Sequence, residues 1–353
     1  MSDQRRGTRT AYGRIGIRTS WQSPRACLAR VCRVTSEPAN SEDVDPVRTL
    51  LEVLDLEPAG TTPFGPDPSP ADLDEDDVPS RELELFVGRS QITPHKRVFG
   101  GQVLAQSLIA AGRSVQAVDG LQARRPHSLH AYFIRPGDSL EPIRFAVENL
   151  RDGNSFSVRR VFAMQKGRTI LSATLSFQEP ADGLDHQAQM PSTPDPDRVR
   201  TTAEELKGID HPAADHWRSR AIDVRTVEGA LYYQPGRQHN AHQNVWMRCA
   251  GPLPDDPLLH TAILAYASDY TLLESVLRRH GMAWADRRLR VASLDHAMWF
   301  HRPVRIDNWV LYQQESPSAS GGRGLGLGKI FGLDGTLVAS VAQEGMVRVK
   351  QPE

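Results

Sequence analysis

Cysteine is scarce: the 353-residue chain has three. That is too few for a disulfide framework. Cys27 and Cys32 lie in an arginine-rich N-terminal stretch, and Cys249 alone sits in a core-like context. Such usage fits a reducing compartment, so a cytoplasmic location is expected. No apolar run approaches the roughly 18 residues of a spanning helix, so no membrane span is expected. Neither sign of charge dominates: 42 Lys and Arg stand against 43 Asp and Glu, a net −1. This argues against a nucleic-acid partner held by bulk charge. H-E-x-x-H and C-x-x-C are absent, so no metal and no cofactor is expected. The acidic run Asp74-Glu75-Asp76-Asp77 spaces no ligands around a turn and reads as solvated linker. G-x-S-x-G is also absent, which argues against a nucleophile-elbow hydrolase. Gly322, Gly324, Gly326 and Gly328 lack the spacing of a nucleotide-binding loop and predict a strand that packs closely.

Hydrophobic residues make up 39 % of the chain, enough for a sizeable core. The length suggests two domains or one large one. Residues 1–33 carry eight arginines and a single acid, Asp3. The expectation for residues 1–44 is a disordered tail or an over-extended start; an organelle transit peptide is the alternative. The C-terminal Lys350-Gln351-Pro352-Glu353 carries no peroxisomal address. Asp45 and Pro46 then cap and start a short helix with Val47, Leu50, Leu51 and Leu54 on one face. Residues 57–80 read as a solvated linker.

From residue 81 the pattern becomes regular. A strand at 81–87 precedes a helix that follows Gly100-Gly101 and carries Leu104, Leu108, Ala111 and Val115 at helical spacing. Strands follow at 127–134, 143–150, 155–164 and 169–178, with turns at Pro136-Gly137, Asp152-Gly153 and Lys166-Gly167. A polar segment intervenes at 180–215. The layout then returns: strands at 223–232 and 243–249, a helix at 258–279, and strands at 288–301, 309–315, 325–332 and 336–348. His130-Ala-Tyr-Phe-Ile-Arg-Pro136 is similar to His296-Ala-Met-Trp-Phe-His-Arg-Pro303, 166 residues on. Ser176-Phe-Gln-Glu179 is similar to Ser340-Val-Ala-Gln-Glu344, with Gln178 and Gln343 165 residues apart. Two matches at nearly one offset point to a duplication. A helix wrapped by an antiparallel meander, present twice, is an α+β double hotdog. The expected halves are residues 81–179 and 216–353, after a tail at 1–44 and a helix with acidic linker at 45–80.

Three polar residues stand out in the second half. Asp269 interrupts the apolar stripe of Ala262, Tyr266, Leu273 and Val276 on the long helix. A carboxylate there is expensive unless hydrogen-bonded. It is either a structural aspartate or one kept to orient or deprotonate water. Ser293, by period-two counting, shares a strand face with Val291, Ala297 and Trp299. Gln343 shares one with Ala339, Val341 and Val347 and needs partners. Each has an ordinary structural reading; together they could hold a water.

Several stretches carry a resemblance. They are Val98-Phe-Gly-Gly-Gln102, His127-Ser-Leu-His-Ala-Tyr-Phe-Ile-Arg-Pro-Gly-Asp138, Arg151-Asp-Gly-Asn-Ser-Phe-Ser-Val-Arg-Arg160, Leu264-Ala-Tyr-Ala-Ser-Asp269, Ser293-Leu-Asp-His-Ala-Met-Trp-Phe-His-Arg-Pro303 and Val341-Ala-Gln-Glu-Gly345. Jointly they resemble the type II acyl-CoA thioesterases, the family of bacterial thioesterase II and the peroxisomal acyl-CoA thioesterases. The resemblance covers residues 81–349 apart from the linker. It implies hydrolysis of acyl-CoA by an activated water, without a covalent acyl-enzyme. It also implies a catalytic set of Asp269, Ser293 and Gln343. The substrate would be acyl-CoA and the assembly a homo-oligomer, dimer or tetramer. Gly101 at a helix start is a candidate donor to the substrate carbonyl, and His130 a candidate substrate-side group. Two alternatives stand beside this: a hotdog enoyl-CoA hydratase, suggested by Asp256-Pro-Leu-Leu-His260, and a non-catalytic acyl-CoA-binding hotdog.

Overall fold

The computed structural model describes residues 45–64 and 82–350. The expectations for residues 1–44 and for the acidic run at 74–77 fall outside them. The first helix, α1 (Pro46–Leu54), starts as its sequence dictates. Asp45 Oδ1 accepts from the Val47 amide at 2.9 Å and Pro46 occupies the first turn. It buries Val47, Leu50, Val53 and Leu54; Leu51 lies at the edge of that face.

The next residues correct an expectation. Within the segment read as linker, Glu57–Pro63 forms a strand, β1, which pairs antiparallel with β2 (Glu82–Gly88). Its side chains stay almost wholly exposed, so no apolar alternation marks it. Backbone pairing with a sheet edge recruits it instead. The helix α2 (Gly100–Gln116) follows, then β3 (Arg125–Phe133), β4 (Ile143–Asp152), β5 (Phe156–Gln165) and β6 (Arg168–Gln178). Lys166 and Gly167 turn β5 into β6 with φ of 50° and 73°, the left-handed pair of a two-residue hairpin loop.

The intervening polar segment holds a turn of 3-10 helix at Pro196–Arg198 and two short helices, α3 (Thr202–Glu205) and α4 (Pro212–Arg218). The second half runs β7 (Ile222–Thr226), β8 (His242–Cys249), α5 (Pro257–Ser268), α6 (Glu274–Arg279), β9 (Leu289–Ser293), β10 (Asp295–Phe300), β11 (Val310–Ser320), β12 (Arg323–Gly332) and β13 (Leu337–Val349). Three sequence expectations change here. The strand expected at 223–232 ends at Thr226, the helix expected at 258–279 divides into two, and the strand expected at 288–301 breaks at Leu294.

Among the described residues one sheet of 13 strands wraps the helices. Its first half is ordered β2-β4-β5-β6-β3 and its second β8-β11-β12-β13-β10, one pattern used twice. β1 and β7 extend the two outer edges. The halves join where β3 pairs antiparallel with β10, His130 opposite Ala297 and Ala131 opposite His296. The two copies of the repeated motif are therefore neighbours across the junction, and the fold is a double hotdog. Leu104, Leu108 and Ala111 of α2 and Ile263, Leu264 and Ala267 of α5 share one core with Phe145, Leu175, Met298 and Val341 of the sheet. Leu104 and Leu108 are fully buried, and each such side chain contributes about 1.5–3 kcal/mol by leaving water.

Close packing also explains the glycine run. A Cβ on Gly326 would stand 2.8 Å from the Leu272 carbonyl oxygen. The turn between α5 and α6 thus rests directly on the backbone of β12.

Candidate active site

Asp269 is where the expected long helix stops. It is the C-cap of α5, and α6 starts only at Glu274. Backbone carbonyls released by the break find side-chain donors. Tyr312 Oη donates to the Ser268 carbonyl at 3.4 Å, Gln243 Nε2 to that of Thr271 at 3.3 Å and Ser275 Oγ to that of Leu272 at 2.9 Å. Compensated in this way, the break leaves the Asp269 side chain at the end of a buried helix, facing the N-terminus of α2.

Three donors converge on that carboxylate. Gln343 Nε2 donates to Oδ1 at 2.6 Å, Ser293 Oγ to Oδ1 at 3.3 Å and the Gly101 amide to Oδ2 at 2.8 Å. Gln343 Nε2 also donates to Ser293 Oγ at 2.8 Å. Both amide hydrogens of Gln343 are therefore committed, one to each of the other two residues. Burial pushes the Asp269 carboxyl up to about 6, while Gln343, the Gly101 amide and Ser293 pull it back down. Glycine is required at 101: a Cβ there would lie 2.3 Å from the Tyr266 carbonyl oxygen. The absence of side chains at the start of α2 lets the two helices approach until the amide reaches Asp269.

Ser293 arrives by a register slip. β13 pairs with β10 as Ala342 opposite Ala297, but with β9 as Gly345 opposite Ser293, one residue out of phase. The extra residue lies at Leu294–Asp295, where Asp295 Oδ1 accepts from the Glu344 amide at 2.7 Å in place of a ladder bond. A slip of one residue moves a side chain to the other face. Ser293 therefore does not share a face with Ala297 and Trp299, as uninterrupted alternation predicts. It turns inward beside Gln343, with His296 and Met298.

His296 was not singled out in the sequence. It is fully buried, and its Nε2 lies 2.9 Å from Ser268 Oγ. Burial pushes its imidazole down to about 3, so it is neutral, and the adjacent Gln343 carboxamide opposes that shift. It immediately precedes Ala297 and so stands across the ladder from Gln343. The available signal was its place in the repeated motif, where it stands in the position of His130.

Two expected residues change role or leave the site. Gly101 is present, but its amide is taken by Asp269 and is not free for a substrate carbonyl. His130 is absent from the site: it is exposed on the outer face of the sheet, edge-on to Trp299 at 5.2 Å. The Asp256 and His260 pair is used structurally. Asp256 Oδ1 accepts from the Leu258 amide at 2.9 Å as the cap of α5, and His260 Nδ1 accepts from the Ile306 amide at 3.3 Å. Both lie toward the opposite end of α5 from Asp269, apart from the candidate site. Among the described residues no cluster of His, Cys, Asp and Glu could hold a metal ion, and no helix is long and apolar enough to cross a membrane.

A model of the acyl-CoA thioesterase family matches residues 218–346, and a model of the acyl-CoA thioesterase N-terminal domain matches residues 89–178. Acyl-CoA thioesterase 2 of Haemophilus influenzae is 37 % identical over 76 % of this chain and 93 % of its own. Acyl-coenzyme A thioesterase 8 of Homo sapiens is 38 % identical over 76 % of this chain and 85 % of its own. The chain belongs to the acyl-CoA thioesterase family. The crystal structure of acyl-CoA thioesterase II TesB2 from Mycobacterium marinum is 41 % identical, with a TM-score of 0.63 over 86 % of this chain and 99 % of that one. A hot dog fold protein from Alicyclobacillus acidocaldarius, 21 % identical at a TM-score of 0.63, supports the fold alone. Both thioesterase models fall within the two repeated halves, and the site residues Asp269, Ser293 and Gln343 all lie in the second.

Proposed function

We propose that this member of the thioesterase family hydrolyses acyl-CoA to a carboxylic acid and coenzyme A, using a water activated by Asp269. The observation that carries the reading is a carboxylate whose pKa is raised to about 6 and which is fixed by three donors at the N-terminus of α2. It is ionised at neutral pH, yet basic enough to accept a proton there. Oδ2 has one protein partner and keeps a lone pair for the water.

In the proposed reaction the water passes a proton to Asp269 and its oxygen bonds to the acyl carbon. The carbon–sulfur bond breaks, and the proton moves from Asp269 to the leaving thiolate. Gln343 holds both Asp269 and Ser293 in place, and Ser293 Oγ retains an acceptor lone pair for the water. The positive end of α2 favours the negative charge that develops on the carbonyl oxygen. A non-catalytic binding protein would need no basic carboxylate held in this way. A dimer or tetramer and a cytoplasmic location belong to the same proposal; light scattering and cell fractionation test them.

The experiment is thiol release from acyl-CoA of several chain lengths by the wild type and Asp269→Asn. The variant should fold and lose about 10²- to 10⁴-fold in kcat, the usual range for a missing general base. Wild-type turnover in a folded variant would remove Asp269 from the mechanism.

A further inference from the structure

A cleft of about 760 Å³ opens beside the candidate site. Tyr266 and Tyr270, which flank Asp269 along the chain, form its wall with Phe99, which precedes the Gly100-Gly101 start of α2. Val291, two residues before Ser293, borders it as well. The aromatic wall is rigid: Phe99 stacks on Tyr270 at 4.7 Å, and Tyr266 Oη donates to Gln91 Oε1 at 2.8 Å.

The charge of the lining is one-sided. Arg97, Arg220 and Arg290 come from three separate segments, His95 and His216 join them, and among the described residues no Asp or Glu borders the cleft. The chain as a whole is nearly neutral, at −1, so this is a local concentration of positive charge. Arg97 and Arg290 are exposed at the rim, and Arg220 is half-buried with its guanidinium 4.2 Å above the Tyr270 ring. Arg220 Nε is buried without a hydrogen-bond partner among the described residues. Arg290 spends one nitrogen on the carbonyls of Arg287 and Leu289, at 2.7 Å each, and keeps the rest of its fork. Burial, Arg220 and His95 together hold the His216 imidazole below its ordinary value, as expected of a cationic neighbourhood. Arg220 acts on the buried Glu274 behind the lining, but the cations at the cleft outnumber that one carboxyl, and a phosphate-bearing ligand satisfies them with bidentate charge-assisted bonds.

We propose that this cleft binds the phosphate groups of the coenzyme A portion of the substrate, with Arg97, Arg220 and Arg290 as their ligands. The inference rests on the thioesterase reading, and it adds which residues recognise the coenzyme and from which side the thioester reaches Asp269. Phosphates held here place the acyl end beyond the aromatic wall, toward the core between α2 and α5.

The test compares two thioesters with the same acyl group: acyl-CoA and the phosphate-free acyl-N-acetylcysteamine. Arg97→Glu and Arg290→Glu suit it, because both side chains are exposed. The ratio of kcat/KM for acyl-CoA to that for the phosphate-free thioester should fall about tenfold or more in each variant, mainly through KM. In parallel, adenosine 3′,5′-bisphosphate should bind the wild type and bind the variants at least about tenfold more weakly by calorimetry. A ratio and an affinity within about twofold of wild type in both variants would overturn the subsite. A wild type that hydrolyses neither thioester would instead overturn the proposed function, and the calorimetry would still judge the cleft.

Discussion

With Asp269 as the proposed base, the acid side of the pH–rate profile follows from the geometry around its carboxyl. Only its carboxylate form can take a proton from water, so kcat/KM should fall about tenfold for each pH unit below about 6. Gln343 sets where that limb lies. Its Nε2 provides the shortest of the three hydrogen bonds to the carboxylate, at 2.6 Å. A hydrogen bond to a charged group contributes about 1.5–3 kcal/mol, and a pH unit corresponds to about 1.36 kcal/mol. Gln343→Met keeps the volume and removes the donor, so the carboxylate loses stabilisation and the limb should move up by about one to two pH units. The assay is thiol release at low substrate over roughly pH 4–9, since kcat/KM reports the ionisation of the free enzyme. A limb that stays in place in Gln343→Met would refute the claim that this bond tunes the base. A wild-type limb near the ordinary carboxylate value would refute burial as the dominant influence on Asp269.

Four further outcomes follow from the same contacts. The raised pKa of Asp269 favours the folded protein fully below pH 3.8, and that contribution is lost as pH rises through about 6. Asp269→Asn should therefore gain stability relative to wild type by up to about 3 kcal/mol between pH 4 and pH 7, read from denaturant unfolding at both; a pH-independent difference would contradict it. Ser293→Thr keeps the hydroxyl and should retain most activity. The double change Asp269→Asn/Gln343→Ala should cost far less than the product of its single effects, because the residues form one hydrogen-bonded unit. Gly101→Ala drives a Cβ against the Tyr266 carbonyl oxygen and should lower both the melting temperature and kcat; a variant at wild-type levels in both would show that the helices can separate there at no cost.

Much of the architecture was written in local pattern. Apolar spacing and turn residues located α2, β3 to β6, β12 and β13 within a few residues, because their buried faces repeat at the periods of helix and strand; β11 runs five residues past its expected end. The repeated His-Ala motif and the Gln-Glu pairs announced a duplicated layout, and the sheet uses one strand order twice. Asp269 and Gln343 were legible as polar residues on apolar faces, a placement that demands partners. β1 was not legible, since its exposed side chains leave only backbone pairing to mark it.

Tertiary structure decided the rest. Nothing local says that α5 stops at Asp269; donors from Tyr312, Gln243 and Ser275, mostly remote in sequence, satisfy the carbonyls the break exposes. Nothing in the alternation of residues 288–301 marks the slip at Leu294, which depends on pairing with β13 and turns Ser293 inward. His130 satisfied the same motif logic as His296, yet its side chain faces outward while His296 is buried behind Gln343. Sequence period assigns a residue to a face of its own element. Which faces meet, and which strand loses step with its neighbour, is set by packing between elements far apart in the chain.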